Sequence, residues 1–207
     1  FYFTEIYTML EPLGLTYAAP AYLIDLFKNL YLTDVQYQFI EKTKNTKSKQ
    51  NFIDEFINRQ FRAEYWVKEL EPLDEDEYNT LIADICLLAI KPVATVELVF
   101  ETYTGHAKVN TKVANCILKE LASFEAKTIG DIYIAHNDKG ISLNDIATIA
   151  ALLIYKKDIV LVQNSDLSLK IEYKCKNINT FILARSIVSD DINFMVSPKT
   201  CLLYTSP

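Results

Sequence analysis

Glycine is scarce in this chain, and its scarcity excludes one class of cofactor site. The 207 residues include only 4 glycines, at positions 14, 105, 130 and 140, and no two of them lie in one turn. A Rossmann-type nucleotide site needs several glycines close together after a strand, so that the backbone can approach the cofactor. We therefore expect no such site on this chain and assign no residue to cofactor binding.

Cysteine and histidine are also few. The 4 cysteines lie far apart, and none forms a Cys-x-x-Cys pair. This spacing argues against a disulfide framework or a zinc site and favours free thiols in a reducing cytoplasm. The two histidines, His106 and His136, have no convergent partners in the sequence. We expect them to be structural rather than catalytic or metal-binding, and we assign no catalytic or metal residue.

Long apolar runs and an excess of basic charge are missing as well. The longest apolar stretches, such as Ile146–Tyr155, are too short to cross a bilayer. The net charge is −6 and the isoelectric point is about 5.0, whereas nucleic-acid-binding proteins are usually basic. We therefore expect neither a membrane nor a nucleic acid as a partner.

Hydrophobic residues make up 50% of the chain, enough for the core of one or two domains. In the first half, residues 2–11 and a segment opened by Pro20 have helical spacing, and Thr33–Gln36 has the form of a capping box. A further helix is expected to be capped by Ser48 or Asn51. The first helix is expected to turn one face inward, formed by Ile6, Met9, Leu10 and Leu13.

A block of two arginines and an aromatic lies where helical spacing gives way to alternation. Asn58, Arg59, Phe61 and Arg62 form it, and the residues after it alternate as in a strand through Val67. The alternation predicts that Phe61 lies in the core. The two guanidinium forks predict either a structural lock between helix and strand or a site that holds an anion. In the first case each arginine should meet a carboxylate or backbone carbonyls.

Lysines at 42, 44, 47 and 49 are expected in a solvated loop, with a docking patch for an acidic partner as the alternative. The continuous apolar run Ile85–Ile90 is compatible with a buried strand or a short helix.

Capping patterns organise the second half. Thr111, Thr128 and Ser142 each precede an apolar pattern of helical period, which predicts three helices. Ile159–Val162 and Leu167–Tyr173 then have the composition of two strands joined by a turn. Three helices followed by a hairpin predict a winged helix.

Several of these motifs resemble a known family. Tyr2-Phe3 before an amphipathic helix, Gly14–Tyr17, and above all the Asn58–Arg62 block resemble the methyltransferase regulatory domain of bacterial class I S-adenosylmethionine-dependent methyltransferases. The resemblance covers residues 1–98, and residues 99–198 resemble the winged-helix-like domain that follows in those proteins. It implies an α+β, mainly helical fold, with a helical regulatory domain and short sheet before the winged helix.

The same resemblance carries functional expectations. It implies a non-catalytic portion of a cytoplasmic methyltransferase, with the catalytic domain upstream in cis, S-adenosylmethionine bound there, and a protein, with lysine as acceptor, as substrate. Residues 201–207 resemble a translated vector or adaptor scar, so they contribute nothing to the fold prediction.

A second function class stays open at this stage. A winged helix after a helical domain is also typical of a transcriptional regulator with a sensor domain. Its third helix would read DNA, but the stretch from Leu143 to Tyr155 contains no arginine or lysine. The regulator is therefore the weaker hypothesis.

Overall fold

Helices dominate the fold, and the strands between them are short. The computed structural model describes residues 2–102, 105–108, 110–163, 165–189, 194–199 and 203–205. The α+β, mainly helical class expected from the sequence is confirmed. In the described residues the helices are α1 Phe3–Leu10, α2 Asp34–Lys42, α3 Thr46–Phe56, α4 Glu75–Ala83, α5 Thr111–Glu120, α6 Ile129–His136, α7 Leu143–Tyr155 and α8 Ser165–Ser186. The strands are β1 Leu15–Pro20, β2 Glu64–Lys68, β3 Cys86–Ala89, β4 Val99–Thr102, β5 Gly105–Lys108, β6 Lys127–Thr128, β7 Ile159–Val162, β8 Phe194–Val196 and β9 Leu203–Thr205.

The chain divides into two units. The first unit comprises Phe1–Glu77 and Glu97–Thr111, and the second comprises Tyr78–Val96 and Lys112–Pro207. The domain bounds expected from the family resemblance, 1–98 and 99–198, stay a prediction. A division of the chain by its internal contacts does not test membership of a family.

Helices α2 and α3 of the first unit begin at polar caps. The predicted capping box at Thr33 is confirmed, since its hydroxyl and the Gln36 side chain exchange bonds with the backbone. Helix α3, however, is capped by Asn45, whose Oδ1 accepts from the Ser48 amide at 3.0 Å. The expected caps Ser48 and Asn51 are therefore wrong, because an asparagine three residues earlier already satisfies the free amide. Lys47 and Lys49 consequently lie in α3 rather than in a loop.

The helix expected to open at Pro20 does not form, and a strand that the patterns did not predict precedes it. Residues Leu15–Pro20 form β1, which pairs antiparallel with β2 in the register Leu15↔Lys68 to Pro20↔Glu64. Only two short 3-10 turns follow, at Leu23–Leu26 and Lys28–Leu30. The pairing partner lies far downstream in the chain, so a local pattern could not reveal it.

The core of the first unit includes the N-terminal aromatic Phe3, which is fully buried, and a cluster of Tyr31, Leu32, Ile40 and Ile53. The face predicted for α1 is partly wrong, because Met9 and Leu13 are exposed. The ring of Phe3 takes the inward position instead.

The second unit contains the three helices predicted from their caps. The capping boxes at Thr128 and Ser142 are confirmed. The ambiguous run Ile85–Ile90 contains a strand, β3, which is central in a sheet of order β6-β3-β7. The largest fully buried side chains among the described residues of the second unit are Leu87, Ile117, Leu121, Ile129, Ile132, Ile146, Leu153 and Ile159.

The prediction of a second hairpin strand at Leu167–Tyr173 is wrong. Residues 167–173 lie in helix α8, and β7 pairs antiparallel with β3 instead. Among the α8 residues whose side chains the structure describes, Cys175 and Ile182 are buried; they lie seven residues apart, which is two helical turns. The alternation from Leu167 to Tyr173 is short, and the longer segment that contains it has buried positions at helical spacing, so the alternation did not indicate a strand. The winged-helix-like assignment stays a prediction that rests on α5, α6 and α7.

Candidate functional site

The arginine block forms the connection from α3 to β2. Helix α3 ends at Phe56, and Asn58 adopts a left-handed backbone with φ of +50°. Asparagine tolerates this conformation better than most residues. The amide of Arg59 then donates to the carbonyl of Asp54 at 2.8 Å, which ties the connection back onto the helix end. The expected change from helix to strand near Arg59 is confirmed.

Arg59 is held by two carboxylates. Its two terminal nitrogens donate to the two oxygens of Asp25 at 2.8 and 2.9 Å, and its Nε lies 3.5 Å from Asp54 Oδ1. This is the bidentate geometry in which a guanidinium fork is most specific. Burial alone would lower the pKa of Arg59, but the hydrogen bonds and charge of Asp25, with the charge of Asp54, raise it above its ordinary value.

Arg62 binds three side chains at once. It donates to Asp54, to Glu64, where the Nε distance is 2.6 Å, and to Gln50 at 2.9 Å. Its side chain is only 8% exposed. Burial raises the pKa of the Asp54 carboxyl, and the charge and hydrogen bond of Arg62 offset part of that effect.

An aromatic cluster covers this network. The Arg62 guanidinium carbon lies 4.8 Å from the ring centre of Phe3, which stacks on Trp66 at 5.6 Å and meets Tyr17 edge-on at 5.1 Å. The indole Nε1 of Trp66 donates to Glu64 at 3.1 Å. Charge and aromatic rings therefore share one packed layer, in which a cation over a ring face is favourable.

The block contains one clear error of prediction. Phe61 is 86% exposed and does not lie in the core. Arg62, Glu64 and Trp66 are the side chains that point inward, so the alternation holds but its faces are reversed. The polar residues can be buried because they pair with one another, which the hydrophobic pattern alone does not reveal.

The remaining expectations for the arginines agree with the structure. Each arginine meets a carboxylate. The partners Asp25, Asp54 and Glu64 were missed from the sequence, and only an excess of acidic residues around the block hinted at them. Because both forks are filled by the chain itself, the geometry favours the structural lock over the anion site.

A cavity of about 270 Å³ lies beside Arg59. Burial, followed by the nearby charge of Glu64, raises the pKa of Tyr17 to about 12, and burial with Asp25 raises that of Tyr31 to about 12. Both phenols therefore keep their protons at pH values above 10, where an ordinary tyrosine loses its proton. The cavity is lined by Tyr17, Ala18, Ala19, Pro20, Asp25, Leu26, Lys28, Tyr31, Gln50, Ile53 and Arg59.

His136 has a partner that the sequence did not suggest. It is buried, and its Nε2 lies 3.2 Å from Oε1 of Glu120. The side chain of His106 lies outside the part of the chain whose side chains the structure describes. Among the described residues, no three or more His, Cys, Asp or Glu side chains come together as a metal site. Over the same ranges, no helix has the length and apolarity needed to cross a membrane.

Comparison with known families bears on the part of the chain that contains this network. Residues 1–68 match the family described as the predicted methyltransferase regulatory domain. The match supports a methyltransferase regulatory domain at the N-terminus. It includes α1, β1, α2, α3 and β2, and therefore the whole Arg59–Arg62 network.

Two individual proteins are similar to this chain. The uncharacterized protein sll1526 of Synechocystis is 22% identical over 201 residues, which are 96% of this chain and 39% of that protein. The chain thus spans about two fifths of the curated relative it matches. The solved structure of PKMT2 from Rickettsia typhi superimposes with a TM-score of 0.45 and 13% identity, over 77% of this chain and 35% of that one.

Proposed function

We propose that this chain is the regulatory and substrate-recognition portion of an S-adenosylmethionine-dependent methyltransferase whose catalytic domain precedes it in cis. The match of residues 1–68 to the regulatory-domain family carries the proposal. The scattered glycines are consistent with a cofactor site outside this chain. The acceptor we propose is a lysine of a protein substrate, in line with the resemblance of the Asn58–Arg62 block to that group of enzymes.

The role proposed for the arginine block is to hold the regulatory domain in one shape. Three carboxylates, on Asp25, Asp54 and Glu64, face two guanidiniums in a nearly dry layer. A buried pair is weak evidence for net stability, but breaking it is costly because the remaining charge is left unpaired. The block therefore fixes the connection between α3 and β2. Surfaces elsewhere on the domain are left to contact the catalytic domain or the substrate.

Calorimetry with S-adenosylmethionine tests where the cofactor binds. The chain of 207 residues should show no stoichiometric binding at micromolar concentration, because it offers no glycine-rich turn. The reading frame extended upstream should bind the cofactor. Stoichiometric micromolar binding to the chain alone would contradict the proposed division of labour.

Methyl transfer tests the reaction class. The extended protein, incubated with labelled S-adenosylmethionine and bacterial envelope proteins, should place the label on lysine side chains, as read by mass spectrometry. The chain of 207 residues alone is the matched control and should transfer nothing. Absence of transfer by an extended protein that binds the cofactor would exclude the proposed protein acceptor.

A further inference from the structure

The cavity beside Arg59 has hydrogen-bond donors that the fold leaves unused. Tyr17 contributes a hydroxyl, and no hydrogen bond of that hydroxyl occurs within the described ranges. The ring itself is fixed, since it packs edge-on against Phe3 at 5.1 Å and against Trp66 at 5.7 Å. The hydroxyl is therefore held in place by ring packing and free to donate to a ligand.

Gln50 supplies a second donor whose orientation the network determines. Arg62 can only donate hydrogen bonds, so the Gln50 atom that it contacts at 2.9 Å must be the carbonyl oxygen. The amide NH2 of Gln50 then points away from Arg62. Because Gln50 also lines the cavity, its NH2 is available there.

Lys28 supplies the positive charge. Its ammonium lies 3.5 Å from Glu41, at the long end of an ion pair, and two further protons remain for other acceptors. The other charges in the lining are Asp25 and Arg59, which neutralise one another through two hydrogen bonds. Over the lining residues alone the formal charge is +1, because Lys28 adds to the neutral Asp25–Arg59 pair; Glu41, which lies beside Lys28, is not part of the lining.

The rest of the wall is apolar. Leu26, Ile53, Pro20 and the methyl groups of Ala18 and Ala19 line it. A pocket with a mainly apolar wall and a few polar groups is typical of small-molecule sites, and this one lies just below their usual volume of about 300–1,000 Å³.

We propose that this cavity binds a small organic carboxylate, with the carboxylate accepting from Tyr17, Gln50 and Lys28 and the apolar body against Leu26 and Ile53. The donors on Tyr17 and Gln50, which have no acceptor within the described residues, and the ammonium of Lys28, which Glu41 meets only at 3.5 Å, favour an acceptor-rich anion over a cation. This inference is independent of the proposed function, because it concerns only the walls of one cavity. It would hold for the domain whatever enzyme the domain serves.

Titration of the isotope-labelled chain with benzoate, followed by amide chemical shifts, is the direct test. Benzoate should cause saturable shifts at millimolar concentration in the amides of residues 17–19, 25, 26 and 28, which line the cavity. Benzamide and benzylamine are the matched neutral and cationic probes, and both should bind at least tenfold more weakly, since each loses charge attraction to Lys28. Absence of saturable benzoate shifts, or equal binding of benzylamine, would overturn the proposal.

Two substitutions localise the binding. Tyr17→Phe and Lys28→Met should each weaken benzoate binding about tenfold, because each removes one donor to a charged oxygen. Tyr22→Phe and Lys42→Met, whose parent residues do not line the cavity, are the matched controls and should bind as the unmodified chain does. Amide spectra outside the cavity serve as the check that each variant is folded. Benzoate binding by folded Tyr17→Phe and Lys28→Met at unchanged affinity would refute the assignment of donors.

Discussion

A single substitution at Arg62 tests whether the network needs the planar guanidinium group or only its positive charge. Its guanidinium reaches Asp54, Glu64 and Gln50 together in a nearly dry layer. A lysine keeps the charge but has no planar fork, so it can serve one of these partners well and leaves the others short of a donor. Each buried acceptor without a donor costs about 1–3 kcal/mol. We expect Arg62→Lys to lower the free energy of unfolding by about 2–4 kcal/mol.

Trp66 makes this loss measurable for the first unit alone. It is the single tryptophan of the chain, and it packs in the same layer as Arg62, through Phe3 and Glu64. Urea denaturation followed by tryptophan fluorescence should therefore show the midpoint fall. Lys42→Arg is the control within the same unit, since Lys42 is exposed at the end of α2, and it should change stability by less than about 0.5 kcal/mol.

The companion variant Arg59→Lys tests the second fork. It loses the bidentate contact with Asp25, and we expect a loss of about 1–3 kcal/mol. The reasoning is refuted if both lysine variants keep the stability of the unmodified chain. Should the extended enzyme with these same substitutions lose activity at full stability, the pair belongs to an interface with the catalytic domain or the substrate.

Three further predictions follow from burial and charge. Phe3→Ala should lower the free energy of unfolding by about 3–5 kcal/mol because the ring is fully buried. Phe61→Ala removes an exposed ring and should change it by less than about 0.5 kcal/mol in the same urea assay. Equal losses would contradict the conclusion that Phe3 is buried and Phe61 exposed. Ultraviolet titration should find Tyr17 and Tyr31 ionising near pH 12 rather than 10. Between these values the folded state holds protons that the unfolded state releases, so the stability of the fold should decrease as the pH rises from about 10 to about 12. Ionisation of all tyrosines together at about pH 10 would show that the two phenols are not buried. Gel-shift titration at physiological salt should give only weak DNA binding, because helix α7, Leu143–Tyr155, has no basic residue; sequence-specific nanomolar binding would favour the transcriptional regulator.

Local chemistry was enough to place the beginnings of several helices. Thr33, Thr128 and Ser142 each cap a helix in the way their sequences predict. A capping box is closed by residues three positions apart, so no distant part of the chain takes part in it. The change from helix to strand near Arg59 is local in the same sense.

Tertiary contacts decided the features that the patterns missed. Strand β1 exists because β2 pairs with it from about fifty residues away, and residues 167–173 are helical because β3, not they, pairs with β7. The alternation after Arg59 determined which side chains share a face, but not which face is buried. That choice depended on Asp25 and Asp54, which neutralise Arg59 and Arg62 and so allow the charged face to turn inward while Phe61 turns out. A buried charge is stable only with its partners, and those partners come from elements that only the folded chain brings together.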